Sequence, residues 1–537
     1  MRILLKLTLT LGVAYAMCAC TTQPETVSQI PADTASLQVS YNELYRPAYH
    51  FSPQENWMND PNGLVYFDGE YHLFYQYNPK GIRWGNMSWG HAVSTDLVHW
   101  EHLPVALEME DGIMIFSGSA VVDKNNTSGL CESENGCLVA IYTDHTDELQ
   151  TQSIAYSNDR GRSWNKYEGN PVLDENMKDF RDPKVFWYEE GSKWIMALAI
   201  PQEQKIRFYE SPNLRDWQQM SEFGPAGFVD GIWECPDLFK MSVPETNEEK
   251  WVLLVSYNTP DDGSSMQYFV GDFDGTNFTN DNTEDLVLTL DHGRDFYAAV
   301  TWNNVPDNRR LMIGWVSNWL YGQDFPTQPW RSAQSLVRRL GLRAFPEGVR
   351  LVQRPVEEIT TIRKQRLHDE AVKLQEGDNY LSLENVQGKQ LEIVAEFAYE
   401  AIDTRAEAET LAGEFGVKVF KGQSQETTIG YDVATQQLYM DRGNAGDTSF
   451  HERFADRTVA LMPVDDGTVK LHIFVDHSVV EVFGNDGYAV MTNRMFPDPL
   501  QDGVEIYSIG GRVTLKSLDI WELNSTWSTR STVVEGP

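Results

Sequence analysis

The chain of 537 residues reads as an all-β protein, and three observations carry that reading. Aromatics are plentiful, with 16 Trp, 23 Tyr and 24 Phe, whereas apolar runs with a helical period are scarce. Alternating stretches such as Leu64-Val-Tyr-Phe67 and Tyr71-His-Leu-Phe-Tyr75 flank Asp68-Gly69-Glu70, the signature of a hairpin. The third observation is a weak internal repeat. Ser94-Thr-Asp96-Leu-Val-His-Trp100, Ser157-Asn-Asp159-Arg-Gly-Arg-Ser-Trp164 and Ser211-Pro-Asn213-Leu-Arg-Asp-Trp217 each join a serine, an Asx turn and a closing Trp, and Asp272-Phe-Asp274-Gly-Thr-Asn-Phe278 is a looser fourth copy. The closing aromatics Trp100, Trp164, Trp217 and Phe278 lie 64, 53 and 61 residues apart, a period suited to β-propeller blades with long loops.

Taken in order, the first element is a targeting segment. Residues 1–19 place Arg2 and Lys6 ahead of an apolar run from Leu7 to Met17, shorter than the roughly 20 residues that cross a bilayer, and read as a signal peptide. The segment closes with Met17-Cys18-Ala19-Cys20 and resembles a bacterial lipoprotein signal with Cys20 as the lipidated residue; cleavage after Ala14-Tyr15-Ala16 is the alternative. Either route exports the protein, and lipidation places it in the cell envelope, on the periplasmic side or at the cell surface. Residues 20–45 are rich in Thr, Ser, Pro and Gln and read as a tether.

The repeats assign residues 46–345 to a propeller. Residues 346–364 are expected as a linker, and 365–530 as a second all-β domain, a two-sheet sandwich, from strands such as Lys470–Val475 and Val479–Phe483 followed by the turn Asn485-Asp-Gly487. That second domain is open to a supporting or a sugar-binding role. Cys131 and Cys137 bracket Glu-Ser-Glu-Asn-Gly and either close a loop disulfide in an oxidising compartment or stay reduced.

With 79 acidic against 43 basic residues the formal charge is −36, which argues against nucleic acid or an anionic membrane surface as partner. A neutral polar substrate fits better, and indole or phenol faces suit the C–H face of a sugar ring. No His-Glu-x-x-His, paired Cys-x-x-Cys or Gly-rich phosphate loop is present, so neither metal nor nucleotide cofactor is expected. Asp261-Asp262-Gly263 reads as a solvated turn rather than a calcium loop, and His145 and His292 as lone structural histidines.

Three acids stand out from this background. Trp57-Met-Asn59-Asp60-Pro61-Asn62-Gly63 sets one carboxylate on chain stiffened by a proline, beside an indole and two amides. Phe180-Arg181-Asp182-Pro183 and Trp233-Glu234-Cys235-Pro236 repeat the pairing of acid and proline. Asp60 precedes Trp100 by 40 residues, Asp182 precedes Trp217 by 35 and Glu234 precedes Phe278 by 44, so the three take about the same place in three blades. If that place is the innermost strand, the carboxylates converge on the central axis although they are distant in sequence.

These motifs together resemble glycoside hydrolase family 32, the β-fructofuranosidases. The resemblance covers nearly everything after the tether and also rests on Phe74-Tyr-Gln76-Tyr-Asn78-Pro79, Trp84-Gly85, Phe116-Ser117-Gly118-Ser119, Asp295-Phe-Tyr297-Ala-Ala and Trp315-Val-Ser-Asn-Trp319. It implies a five-bladed β-propeller catalytic domain followed by a C-terminal β-sandwich. It also implies Asp60 as nucleophile, Glu234 as general acid and base, and Asp182 as transition-state stabiliser, with Asp60 and Asp182 helping to keep a proton on Glu234. Arg181 is expected to anchor substrate hydroxyls, Asn59, Gln76 and Ser117 to bond them, and Trp57, Trp84, Phe116, Tyr297 and Trp319 to complete the binding site. The stretch from Phe116 to Gly129 looks most like the exo-acting inulinases and levanases, so the expected substrates are β-fructans and sucrose. Endo attack, fructosyl transfer and a binding protein without turnover are the alternatives, and the only membrane contact expected is the lipid anchor.

Overall fold

The computed structural model describes residues 41–527 apart from 369–370, 372–373, 375–378, 400–412 and 511. The signal segment 1–19, Cys20 and the tether up to residue 40 lie outside the described residues. Five sheets, each built on four antiparallel strands, follow one another along the chain. The first blade runs Asn56–Phe67, Glu70–Asn78, Ser88–Ser94 and Glu101–Leu107. The other four open with Met114–Val122, Arg181–Tyr188, Ile232–Val243 and Tyr297–Thr301. Each opening strand touches the opening strand of the next blade, and the fifth returns to the first, so these five strands ring the central axis. Trp330–Arg331, from a connection inside the fifth blade, pairs in parallel with Asn56 and Trp57 and ties the last blade to the first.

Sequence chemistry accounts for the local form. The first hairpin turns at Asp68 and Gly69, both at positive φ (47° and 88°), the type I′ geometry that matches the twist of its strands. The repeat of serine, Asx and aromatic marks the turn between the third and fourth strands of blades one to four. Ser94 Oγ accepts the N–H groups of Asp96 and Leu97, and Asp96 Oδ1 those of Val98 and His99. Asn213 Oδ1 does the same for Arg215 and Asp216, and Asp274 Oδ1 for Thr276 and Asn277. Short side chains thus satisfy backbone donors that the ladder leaves free.

Two six-stranded sheets from Arg363–His368 to Val513–Leu523 form the sandwich, closed over a core that includes Leu391, Ile393, Phe397, Phe415, Val417, Ile473 and Ile506. The stretch 346–364, expected as a linker, is ordered: Gly348–Pro355 pairs with Arg338–Phe345 as the outer strand of the fifth blade, and a 3-10 turn covers Glu357–Ile362. Ile359 and Ile362 pack with Tyr49, Leu336, Phe474 and Phe483, so the stretch belongs to the joint between propeller and sandwich. The last residues of the expected tether are also part of the fold. Tyr41 stacks on Trp527 with centroids 4.5 Å apart, and Tyr45 meets Phe496 edge-on at 5.2 Å. Cys131 and Cys137 are joined in a disulfide.

Charged side chains fill the rest of that joint. Arg338, with no exposed side-chain surface, donates to Glu481 Oε2 at 2.6 Å and to Asp291 Oδ2 at 2.9 Å. His50 lies between Asp476 Oδ2 (2.9 Å) and Glu481 Oε1 (3.1 Å); burial opposes its charge, but the two carboxylates raise its pKa. Asp295 is buried against Arg442 of the sandwich, and Tyr321, which accepts from Arg442 Nη2 at 2.9 Å, donates to Asp295 Oδ1 at 2.6 Å.

Candidate active site

Every opening strand of the five blades breaks register near its start, and the first blade's breaks again between Asn62 and Val65. The breaks fall between Met58 and Pro61, Phe116 and Gly118, Arg181 and Lys184, Glu234 and Asp237, and Tyr297 and Val300. A bulge leaves a residue outside the ladder and re-aims its side chain, and proline, which cannot donate to the ladder, is tolerated there. Pro183 and Pro236 therefore sit inside bulges and Pro61 at the edge of one, each within two residues of an acid. Asp182 and Cys235 take positive φ, 64° and 46°, which turns the chain at one acid and directly after another, Glu234.

The bulges surround a cavity of about 320 Å³ lined by Asn59, Asp60, Gln76, Trp84, Phe116, Ser117, His145, Gln150, Asp179, Arg181, Asp182, Glu234 and Trp319. All three acids singled out from the sequence open into it. Pro61, Pro183, Pro236, Lys184 and Val300 lie around a much smaller void that also touches Ser117, Asp182 and Cys235. Farther along the axis Lys184 Nζ donates to Asp237 Oδ2 at 3.0 Å and to the carbonyl of Thr301 at 2.7 Å. Asn303 Nδ2 donates to the carbonyls of Ala120 and Val185.

Each acid is held by named partners. Trp57 Nε1, which can only donate, gives its proton to Asn59 Oδ1 at 2.7 Å, so Asn59 Nδ2 faces Asp60 Oδ1 at 2.9 Å. Ser117 Oγ donates to Asp60 Oδ2 at 2.7 Å. Burial raises the Asp60 pKa, and these two hydrogen bonds oppose the rise. The backbone N–H of Cys235 donates to Asp182 Oδ2 at 3.0 Å, and Cys235 Sγ lies 3.6 Å from Oδ2 of both Asp60 and Asp182. Burial pushes Asp182 up to about 7, with Arg181 opposing and the charges of Glu234 and Asp60 adding to the shift. Asp182 therefore holds a proton up to near neutral pH.

Glu234 has a donor on each oxygen. Arg181 Nη2 lies 3.1 Å from Oε1, and Tyr297 OH donates to Oε2 at 2.5 Å. Arg181 is itself aligned by its neighbours: Phe180 N–H donates to Gln150 Oε1 (2.7 Å), Phe180 C=O accepts from Gln152 Nε2 (2.7 Å), and Arg181 Nη1 donates to Asp179 Oδ1 (3.0 Å).

Of the residues proposed from the sequence as binding groups, Asn59, Gln76, Trp84, Phe116, Ser117, Arg181 and Trp319 line the cavity. Trp57 and Tyr297 do not. Trp57 has no exposed surface and stacks behind Trp319 with centroids 5.9 Å apart, and Tyr297 is 1% exposed and spends its hydroxyl on Glu234. Gln150 and Asp179 carry no sequence signal of their own. His145, read as a structural histidine, is part of the wall.

Comparison with known proteins agrees with this geometry. The glycosyl hydrolases family 32 N-terminal domain matches residues 50–355, and the family 32 C-terminal domain matches 358–522. The chain is 52% identical to the levanase of Bacillus subtilis (strain 168) across 91% of its own length and 72% of that protein. It is 41% identical to the extracellular exo-inulinase of Aspergillus awamori across 91% and 96%. The crystal structure of exo-inulinase from that organism superposes with a TM-score of 0.84 at 41% identity, covering 91% of this chain and all of that one. A fructofuranosidase from Schwanniomyces occidentalis, solved with fructose, gives a TM-score of 0.81 at 34% identity over 91% of this chain. With both halves matched and the acids gathered in one pit on the propeller axis, the chain belongs to glycosyl hydrolase family 32, a family of glycoside hydrolases.

Proposed function

We propose that the protein is an exo-acting β-fructosidase that releases fructose from the ends of β-fructans, levan or inulin, and from sucrose with retention of configuration. The observation that carries the reading is the meeting of Asp60, Asp182 and Glu234, from three blades, in one pit on the propeller axis. Retention requires one carboxylate to attack the anomeric carbon and a second carboxyl to protonate the departing oxygen. Asp60, ionised and steadied by Asn59 and Ser117, attacks C2 of the fructosyl unit, and the C2–O bond to the leaving group breaks. Glu234 gives its proton to that oxygen and then, as base, takes one from water, which hydrolyses the fructosyl ester of Asp60. Asp182 binds ring hydroxyls away from C2 and stabilises the oxocarbenium-like transition state. Arg181 and Tyr297 keep Glu234 aimed across the pit.

A pit with prolines at its base favours a chain end over mid-chain binding, and the likeness to a levanase and an exo-inulinase supports fructan as substrate. Digestion of levan, inulin and sucrose in parallel tests this. Free fructose as the sole fructan product is expected, a ladder of oligosaccharides refutes exo action, and products longer than the substrate indicate transfer. Asp60→Asn and Glu234→Gln are expected to lose at least about a thousandfold in kcat on their natural substrates. Undiminished turnover in either variant removes that residue from the scheme. For location, the reading is export by the segment 1–19 with lipid on Cys20. Fatty-acid labelling of the parent and of Cys20→Ser decides between an anchored and a released protein.

A further inference from the structure

Three groups at the pit wall have no part in the double displacement: His145, Gln150 and Asp179. Gln150 fixes the chemistry of His145. Its Oε1 accepts the backbone N–H of Phe180, a group that can only donate, so Nε2 is the end turned to His145 Nδ1, 3.0 Å away. Nδ1 is therefore the acceptor, and the proton of the neutral imidazole sits on Nε2. Burial and the charge of Arg181 lower the pKa of His145 and keep it neutral. The ring lies flat on Phe116, with centroids 4.0 Å apart and planes within 8°, and Phe116 meets Trp84 edge-on at 6.1 Å. Neither His145 Nε2 nor Asp179 Oδ2 has a hydrogen-bond partner among the described residues.

Depth separates these groups from the floor. Asn59, Asp60, Ser117 and Asp182 are each less than a tenth exposed, whereas Trp84 is 39% exposed and the Asp179 side chain 30%. Glu234, with a side chain 17% exposed, stands between the two levels. A fructosyl unit seated on the floor puts its glycosidic oxygen at Glu234 and its leaving group among the outer residues. A polarised donor, a carboxylate acceptor and an exposed indole are the set that recognises a hydroxyl-bearing ring.

We infer that His145, with Asp179 and Trp84, forms the leaving-group subsite, where His145 Nε2–H donates to a hydroxyl of the sugar unit that departs. The inference rests on the hydrolase reading above and adds to it a residue that sets leaving-group preference. The test measures kcat/KM for a fructo-oligosaccharide and for an aryl β-fructofuranoside, whose leaving group carries no hydroxyl, in the parent, His145→Phe and His145→Gln. His145→Phe keeps a ring over Phe116 and removes the donor; His145→Gln restores an N–H. The ratio of the two kcat/KM values does not depend on how much of a preparation is folded, so misfolding cannot imitate the effect. Loss of one neutral hydrogen bond lowers that ratio about fivefold to tenfold in His145→Phe, with most of it recovered in His145→Gln. A ratio unchanged from the parent in His145→Phe overturns the inference, whether both substrates fall together or neither falls. A parent protein inert on both substrates sinks the hydrolase reading itself, which is a distinct result.

Discussion

Replacing Asp182 with Asn should make the protein more stable at alkaline pH while costing it activity. In the fold the Asp182 carboxyl titrates at about 7 against an ordinary 3.8, because it is buried beside Asp60 and Glu234. Its protonated form therefore stabilises the fold fully below about pH 4, and that contribution is lost as pH rises through 7. At about 1.4 kcal/mol per pH unit the ionised carboxylate costs up to about 4 kcal/mol at pH 8, and the interaction with a neighbouring carboxyl lowers the measurable part to about 2–4. Asn keeps an oxygen for the Cys235 N–H and carries no charge. For a chain of this size, with an unfolding entropy of roughly 1 kcal/mol per kelvin, the gain is about 2–4 °C in Tm. Thermal melts of parent and variant from pH 4 to 9 should coincide at the acid end and diverge above neutrality. A variant that melts below the parent at pH 8, or a gap of equal size at both ends, would refute the reasoning.

Two further perturbations probe how the site is held. Tyr297→Phe removes the 2.5 Å hydrogen bond to Glu234 without touching the cavity wall, and about a tenfold fall in kcat with a displaced limb of its pH profile is expected. An unaltered profile would make the tyrosine a packing group only. Arg442→Met leaves Asp295 buried without its cationic partner, at a cost of about 3–5 kcal/mol, read as a lowered denaturation midpoint. Full stability in that variant would mean that Tyr321 and the Arg494 backbone N–H suffice for Asp295.

Much of the site was legible because its chemistry is written locally. An acid next to a proline marks a bulge, and a bulge near the start of an inner strand points its side chain into the pit, which is why Asp60, Asp182 and Glu234 could be found from their flanks. The Asx turns disclosed four blades for the same reason: a short side chain must serve the backbone there. The fifth blade turns at Pro346-Glu347 without that device, and its outer strand, with Arg350 and Arg354 among its residues, passed for a linker. Tyr41 and Tyr45 looked like tether because their partners, Trp527 and Phe496, are more than 400 residues away. Depth was equally hidden. Resemblance supplied Trp57 and Tyr297 as binding groups, but only coordinates place them one layer behind the wall. His145 had no motif, since its meaning comes from a glutamine of the same blade whose own orientation is set by Phe180, at the entry to the next one.

The kinks in the five inner strands have one more consequence. Each is backed by a second and a third strand that pair with no break in register, so a change at one kink meets an unbroken ladder behind it. Such a protein can acquire a new preference by redrafting a single segment of its circle while the other four keep their aim. Blades two and five, which supply Ser117 and Tyr297 but none of the three acids, are where that redrafting would disturb the chemistry least.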